Sequence, residues 1–502
     1  MSWRGRKAAP QPGAPAADPS ALQTDVQSAA SGEGVVPDPG PVESERLTGS
    51  LLVPATIGAV FFMEGLDSTI IATSLPQIAR ALAVAATQIS VAMTAYLVSA
   101  SMWIAASGWL ADRFEARRVY LSAIVVFVAG SLLCGMSTTL PTLILGRLVQ
   151  GAGGALMTPI GRLILARSFP RHELVRAMSF MIIPGMAGPM LGPVIGGWIT
   201  TYFSWRWIFF INLPLGLLGI ALTLRNLRPH PGAGKTSFDF VGFGLVAVAL
   251  VSLQVGLELL AQRRGASLAA GLGLAVAAAA FALYGLHARR PAPILELRMF
   301  RYRAFAVSII GGAFSRIAFG GALLLFPLLF QLGLRASALI SGVLMGLTAL
   351  GQILMRPLID PLLKTVGIRW TLIGNSLCLA ALLAALLAFG PHGSLWLLGA
   401  LLFVIGLAQS VQLSTLAALS FSGMPADALG KATSIAAVIQ RLTAATGITL
   451  AAIALAAASG GRAPALADFP IPIVLLSGVM LLGAPCYAML RQADGADLLR
   501  RR

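Results

Sequence analysis

Long apolar runs recur from end to end of this chain, each near the ~20 residues that a helix needs to cross ~30 Å of hydrocarbon. No water reaches an open backbone group inside a bilayer, so a spanning segment must be a helix or part of a closed barrel. Runs of this length imply helices. Fourteen can be delimited: 51–73, 88–110, 118–136, 141–166, 177–200, 207–224, 240–260, 268–286, 304–331, 338–357, 370–390, 395–420, 432–458 and 471–490. The predicted fold class is therefore an all-α membrane protein. Composition agrees, since 57% of the 502 residues are hydrophobic and only 11% charged, against about 25% charged in soluble domains.

A formal charge of +17 is the kind of surplus that marks nucleic-acid binding, but its distribution points elsewhere. Alternate loops hold roughly 26 Lys and Arg on the side of both termini and about 6 on the other, the positive-inside asymmetry of a membrane protein. Both termini are expected in the cytoplasm of a multi-pass protein of the cell (inner) membrane, with no nucleic-acid partner. Tryptophan, which concentrates at membrane interfaces, agrees: Trp109 and Trp370 fall at inner ends, and Trp198, Trp205, Trp207 and Trp396 at outer ends.

Residues 1–47, rich in Pro, Ala, Gly and Ser, read as a disordered cytoplasmic tail. Two longer loops bracket spans seven and eight, as though a pair had been inserted between two six-helix bundles. The expected organisation is 48–226 for the first bundle, 227–303 for a linker with two inserted helices, 304–491 for the second bundle and 492–502 for a cytoplasmic tail. "GWLADRFEARR" after span two has a degraded counterpart, "RPLIDPLLKTVGIR", after span ten. Two related bundles about a site at mid-membrane depth is a transporter arrangement.

Charges inside spans carry the most information, because each costs about 2.5 to 3.5 kcal/mol at a helix centre. Glu64, Asp67, Arg147, Arg316 and Arg441 are so placed, and together would cost on the order of 15 kcal/mol against lipid. They are expected to face one another or a hydrated cavity, whereas Arg162 lies close enough to the inner end of span four to snorkel. In "FFMEGLDSTIIATSLP" the carboxylates of Glu64 and Asp67 stand three residues apart, about one turn. Like charges in a poorly solvated span repel, which suits the pair to proton exchange: Asp67 carries protons or meets a cationic substrate, with Glu64 as its coupled neighbour. The alternative is a static ion pair with an arginine. Arg147, with Gln150 a turn along, is either a hydrogen-bond anchor or the partner of a titrating carboxylate. Arg316 and Arg441 either line the same cavity from the other bundle or are structural.

"PGMAGPMLGPVIGGW", Pro184 to Trp198, holds five glycines and three prolines within an apolar run. The bilayer forces it to be helical regardless. Gly188, Gly192 and Gly196 recur every four residues, a smooth ridge for close helix approach, while Pro189 and Pro193 remove donors and bend the axis. The expectation is a kinked helix that packs against the other bundle.

One look-alike is set aside: "GAGKTS" suggests a phosphate-binding loop, but Pro229 replaces its first glycine and no soluble strand–loop–helix unit surrounds it. The three cysteines, each inside an apolar run, show no metal-ligand spacing. No nucleophile constellation is present either, so neither enzyme activity nor a cofactor or metal is expected.

Several stretches together resemble one family. "LDSTIIATSLP", "GWLADRFEARR", "GRLVQGAGGA", "GPMLGPVIGG", "WRWIFFINLPLG" and "FDFVGFG" are similar to motifs of the fourteen-helix drug:proton antiporters of the major facilitator superfamily, over about residues 48–491. The resemblance implies the superfamily fold, two six-helix bundles plus two inserted helices. It implies that Asp67 is the membrane-embedded acid and Arg147 the coupling arginine. Gly108, Asp112, Arg113, Arg117 and Arg118 would form a conformational latch. The bundle interface would comprise Gly188, Pro189, Gly192, Pro193, Gly196 and Gly197. Glu115 stands where the family usually has glycine, Ala72 replaces a common asparagine, and Glu64 is not part of the general motif.

The expected function is proton-coupled export of small amphipathic compounds or drugs by alternating access, with a small-molecule substrate, protons and the lipid bilayer as partners. The sequence names no periplasmic adaptor. An alternative cargo is a small organic anion or metal–carboxylate chelate, because three central arginines outnumber two acids.

Overall fold

A computed structural model describes residues 51–229, 237–261, 267–291, 293–390, 393–491 and 494–495. The expected N-terminal tail, the C-terminal tail apart from residues 494–495, and most of the phosphate-loop look-alike, Gly232 to Thr236, lie outside the described residues. Fourteen helices are long and apolar enough to cross a membrane. They are α1 (Leu52–Ala81), α2 (Ala86–Arg113), α3 (Ala116–Gly135), α4 (Leu140–Ser168), α5 (Arg176–Tyr202), α6 (Trp207–Asn226) and α7 (Phe240–Leu260). There follow α8 (Leu268–His287), α9 (Arg303–Gly333), α10 (Ala338–Val366), α11 (Ile368–Ala388), α12 (Leu395–Phe421), α13 (Ala428–Ser459) and α14 (Leu466–Ala488). Every expected span is present. Several helices run past the apolar run that marks them, because hydrogen bonding continues into the interface: α10 carries on through Pro357 and Pro361 to Val366.

The packing repeats. In the first half α1 packs on α5 and α6, α2 on α4, and α3 on α4 and α6; in the second, α9 packs on α13 and α14, α10 on α12, and α11 on α12 and α14. The halves meet through α5 on α10 and α2 on α13, two contacts that the same repeat makes equivalent. Glycine occupies matching crossings. Gly151 of α4 faces the backbone of Tyr96 on α2, and Gly406 of α12 faces that of Thr348 on α10. Likewise Gly188 of α5 lies against Phe62 on α1, and Gly447 of α13 against Ile317 on α9. In a bilayer such close backbone approach replaces the hydrophobic effect as the source of helix association.

The glycine ridge on α5 corrects an expectation. Gly188, Gly192 and Gly196 press on α1 of their own bundle, against Phe62, Leu66, Thr69 and Ile70. The other bundle meets the next face round: Gly197 abuts Ala338, and the carbonyl of Pro193 abuts Gly342, both on α10. A four-residue repeat marks a smooth helix face, but does not say which neighbour lies on it. The helix that contains the α5 span is continuous from Arg171 to Tyr202 despite its internal prolines. Pro193 has no N–H for the carbonyl of Pro189, and the Thr69 hydroxyl of α1 donates to that carbonyl at 3.3 Å.

The inserted helices α7 and α8 pack on each other, and α7 lies against α2 and α13. The Gln254 side chain donates to Thr449 on α13, and Phe243 lies 6.0 Å from the Trp103 ring of α2. Asp239 ties the pair together at one end, accepting from the Gly242 and Ile294 N–H groups at 2.8 and 3.1 Å and standing 2.7 Å from His287 Nε2. Burial would raise the Asp239 pKa, but these hydrogen bonds outweigh it and hold the carboxyl below the usual range.

At the equivalent crossings, Gly406→Val and Gly447→Val should each destabilise by about 1 to 3 kcal/mol through overpacking. Gly374→Val, where a Cβ meets nothing within 4 Å, serves as the control. Thermal unfolding in detergent should show a lower midpoint for the first two only; three equal midpoints would mean that the crossings are loose.

Candidate functional site

Three residues along α1 correspond to about 60° around its axis, and that rotation sends Glu64 and Asp67 into different surroundings. Asp67 points into the first bundle, fully buried. Its Oδ1 accepts from Gln150 Nε2 at 2.7 Å and Asn212 Nδ2 at 2.8 Å, and its Oδ2 from Arg147 Nη1 at 2.9 Å. Arg147, 1% exposed, also donates to Gln150 Oε1 at 2.8 Å and lies 4.5 Å from the Tyr96 ring centroid. Ser131 accepts from both Gln150 and Asn212, at 3.0 and 2.9 Å. Side chains of α1, α3, α4 and α6 are thus joined through one carboxylate.

The second half repeats this design without charge. Gln412 of α12 donates to Ser315 of α9 at 3.1 Å, Ser376 of α11 at 3.3 Å and Tyr487 of α14 at 3.0 Å. These are the helices equivalent to α4, α1, α3 and α6. Both networks bolt four helices together, and the first happens to use an ion pair.

Glu64 instead faces a cavity of about 690 Å³ between the halves. It is 8% exposed, and each oxygen is engaged: Oε1 accepts from Arg441 Nη2 of α13 at 3.0 Å, Oε2 from the Thr158 hydroxyl of α4 at 2.7 Å. Arg162 and Arg316 also line this space, with the amides of Gln352, Gln409 and Gln440. One carboxylate therefore confronts three guanidinium groups. The cavity ends against the α5–α10 crossing at Pro193 and Gly342, beyond which Gln331 donates to the Thr73 carbonyl at 2.9 Å and bridges the halves. It extends the other way, past Ile182 and Gln352, to the exposed Arg162. It opens toward the end that carries the α2–α3 loop.

The expected common site is therefore divided. Glu64, Arg316 and Arg441 come together around the cavity, while Asp67, Arg147 and Gln150 do not line it. Asp67 pairs with Arg147 at 2.9 Å and is ringed by donors inside the bundle, the geometry of the ion-pair alternative. The latch residues likewise find partners within the first bundle: Asp112 pairs with Arg167 at 3.4 Å, Arg117 donates to the Leu224 carbonyl at 2.7 Å, and Arg118 pairs with Glu115 at 2.8 Å. Arg113 is exposed, and a Cβ on Gly108 would meet open space. Glu115 has an ordinary extended backbone, φ −63° and ψ 123°, so its position does not demand glycine. Asn212, Ser131, Thr158 and the cavity glutamines escaped sequence reasoning that followed charge alone. An amide inside an apolar span was the available signal, since it too needs a partner.

Two repeated six-helix halves around a charged cavity closed at one end define a membrane transporter. A model of the Major Facilitator Superfamily matches residues 57–448. The putative multidrug resistance protein MdtD of Cronobacter sakazakii is 35% identical over 400 residues, covering 79% of this chain and 84% of the relative. MdtD of Escherichia coli strain ED1a is 34% identical over 397 residues, with the same coverage. Among solved structures, a POT family transporter in complex with a thioalcohol-conjugated peptide superposes with TM-score 0.65 at 16% identity, covering 91% of this chain and 97% of that one. A bacterial homologue of the human lysosomal transporter Spinster, inward-facing and occupied, superposes with TM-score 0.63 at 14% identity, over 90% of this chain and 97% of that one. The chain belongs to the Major Facilitator Superfamily. It is a multi-pass membrane transporter of small molecules and not an enzyme.

Asp67→Asn leaves the Arg147 cation buried without its counter-ion, which should cost about 3 to 5 kcal/mol. Asp67→Asn combined with Arg147→Gln removes both charges and should recover most of that loss. Folded yield and unfolding midpoint check the pair, and a single variant as stable as wild type would show that Asp67 is not a structural anion.

Proposed function

We propose that this transporter is a proton-coupled exporter of small amphipathic compounds or drugs that works by alternating access, with Glu64 as the proton carrier. The observation that carries the reading is the Glu64–Arg441 ion pair, 3.0 Å long, which joins α1 of one half to α13 of the other across the cavity. Glu64 is the one acid among the lining residues, so a proton arriving through the cavity meets it first. Protonation removes the ionic attraction between the halves, on the order of a few kcal/mol for charges at this separation in a partly wetted site, and frees them to rock. Loss of the proton on the other side restores the pair.

The charge asymmetry of the loops supports a cytoplasmic side for both termini and for the open end of the cavity, as an exporter loading its cargo through the inner membrane requires. Each elementary charge moved through 100 mV contributes about 2.3 kcal/mol, so no ATP is needed. Asp67 and Arg147 serve as the fixed strut against which Glu64 moves, a revision of the expectation that Asp67 titrates. Gly108, Asp112, Arg113, Arg117 and Arg118 engage the second half only when the cavity faces outward, consistent with the first-bundle partners that Asp112, Arg117 and Arg118 have in the inward-facing state.

Liposomes that contain the purified protein and a pH-sensitive dye test the reading. Under an imposed pH gradient, a panel of amphipathic drugs should include compounds that trigger proton flux in wild type. Glu64→Gln, compared at equal amounts of folded protein because Arg441 loses its counter-ion, should reduce that flux at least tenfold. Wild-type flux through Glu64→Gln would falsify the assignment.

A further inference from the structure

Three arginines within the described spans meet the centre of the molecule, and two of them are matched: Arg147 by Asp67, Arg441 by Glu64. Arg316 is not. It is 8% exposed, and its Nη1 is buried without a hydrogen-bond partner. The polar groups nearest to it in sequence and packing are committed elsewhere, since Ser315, Gln412 and Tyr487 hydrogen-bond to one another. Across the cavity, the Gln409 carbonyl oxygen already accepts from Gln352 at 2.8 Å. Guanidinium cannot shed its charge at neutral pH, and a desolvated cation without an acceptor is costly. Nη1 lies over Gly312, one turn back on α9, and the exposure that the guanidinium keeps is to the cavity that it lines, the side from which an acceptor for the cation can enter.

The geometry points to Arg316 as the anchor of an anionic group on the transported compound, so that the preferred cargo is an amphipathic acid, an apolar body with one carboxylate or sulfonate at its end. This rests on the reading of the cavity as the transport site and names the substrate class for it. A cationic drug fits less well: Glu64, the only carboxylate among the described lining residues, has both oxygens occupied, and two guanidinium groups beyond Arg441 would repel it. The shape of the wall supplies the rest of the ligand. Phe319, Leu323 and Phe326 follow Arg316 on α9 and line the cavity with Met345 of α10. From Arg316 to Phe326 is about 15 Å along a helix, room for a fused aromatic or medium-length aliphatic body lying with its charge on Arg316 and its tail toward the closed end.

An isosteric series isolates charge from shape: 2-naphthoate, neutral 2-naphthamide and cationic 2-naphthylmethylammonium. Binding to the purified full-length protein in nanodiscs, at pH 7.5 and without a gradient, is read by naphthalene fluorescence and equilibrium dialysis. Wild type should bind naphthoate at least tenfold more tightly than either other probe. Arg316→Gln should lose that preference, with naphthamide affinity unchanged within twofold, and Arg316→Lys should keep most of it. The unchanged naphthamide affinity reports an intact cavity, and should Arg316→Gln fail to fold, the wild-type ranking and Arg316→Lys carry the decision. Preference for the ammonium probe, no binding of naphthoate to wild type, or an undiminished naphthoate preference in Arg316→Gln overturns the proposal. Because no gradient is applied, a protein that ranks the probes as stated but moves no protons refutes the coupling scheme and leaves this inference standing. Proton flux driven only by cations does the reverse.

Discussion

A charge in the middle of a bilayer is affordable only beside a compensating one, and this molecule is organised around how its five central charges meet that condition. Asp67 and Arg147 satisfy it locally, inside one bundle, with amide and hydroxyl groups filling the remaining valences. Glu64 and Arg441 satisfy it between bundles, where compensation holds only while the halves are close. Arg316 does not satisfy it from within the described residues at all. A pair inside one bundle, a pair between bundles and an unpaired cation beside the cavity are three electrostatic situations, and the proposals above assign them the roles of strut, moving contact and ligand anchor.

The scaffold that holds these charges is a repeat. Equivalent helices cross at glycines in both halves, where backbones touch directly and side-chain volume would force them apart. Equivalent helices are also cross-linked by buried polar networks, one built on a carboxylate and one on a glutamine. Such a pair of rigid halves has few soft places. Its two interfaces, α5 with α10 and α2 with α13, are related by the same repeat, so that opening one end while closing the other needs little internal rearrangement of either half.

How much of this could be read in advance differs from residue to residue. The fourteen spans were legible because hydrophobic length is a one-dimensional property set by bilayer thickness, and the structure contains each of them. The five intramembrane charges were legible as exceptional for the same reason, by cost. Their partners were not. Glu64 and Asp67 look like one coupled pair when only spacing is considered, yet a rotation of about 60° puts one in a cavity and the other in a packed core. The ridge of Gly188, Gly192 and Gly196 was correctly a close-packing face, but it serves α1 and not the opposite bundle.

The sequence by itself determined the number of crossings, their helical nature and which few side chains had to find compensation, because each follows from the free energy of placing a residue type in hydrocarbon; of the internal repeat it held only one degraded motif pair, and the matching helix crossings showed the rest. Only the tertiary structure decided who compensates whom. Pairing depends on the azimuth of each side chain about its helix and on which helix lies opposite, and neither is encoded in any local stretch of residues. That is why Asn212, Thr158 and Gln412, ordinary polar residues in the sequence, turn out to hold the interior together, and why Arg316 stands apart once its neighbours have chosen one another.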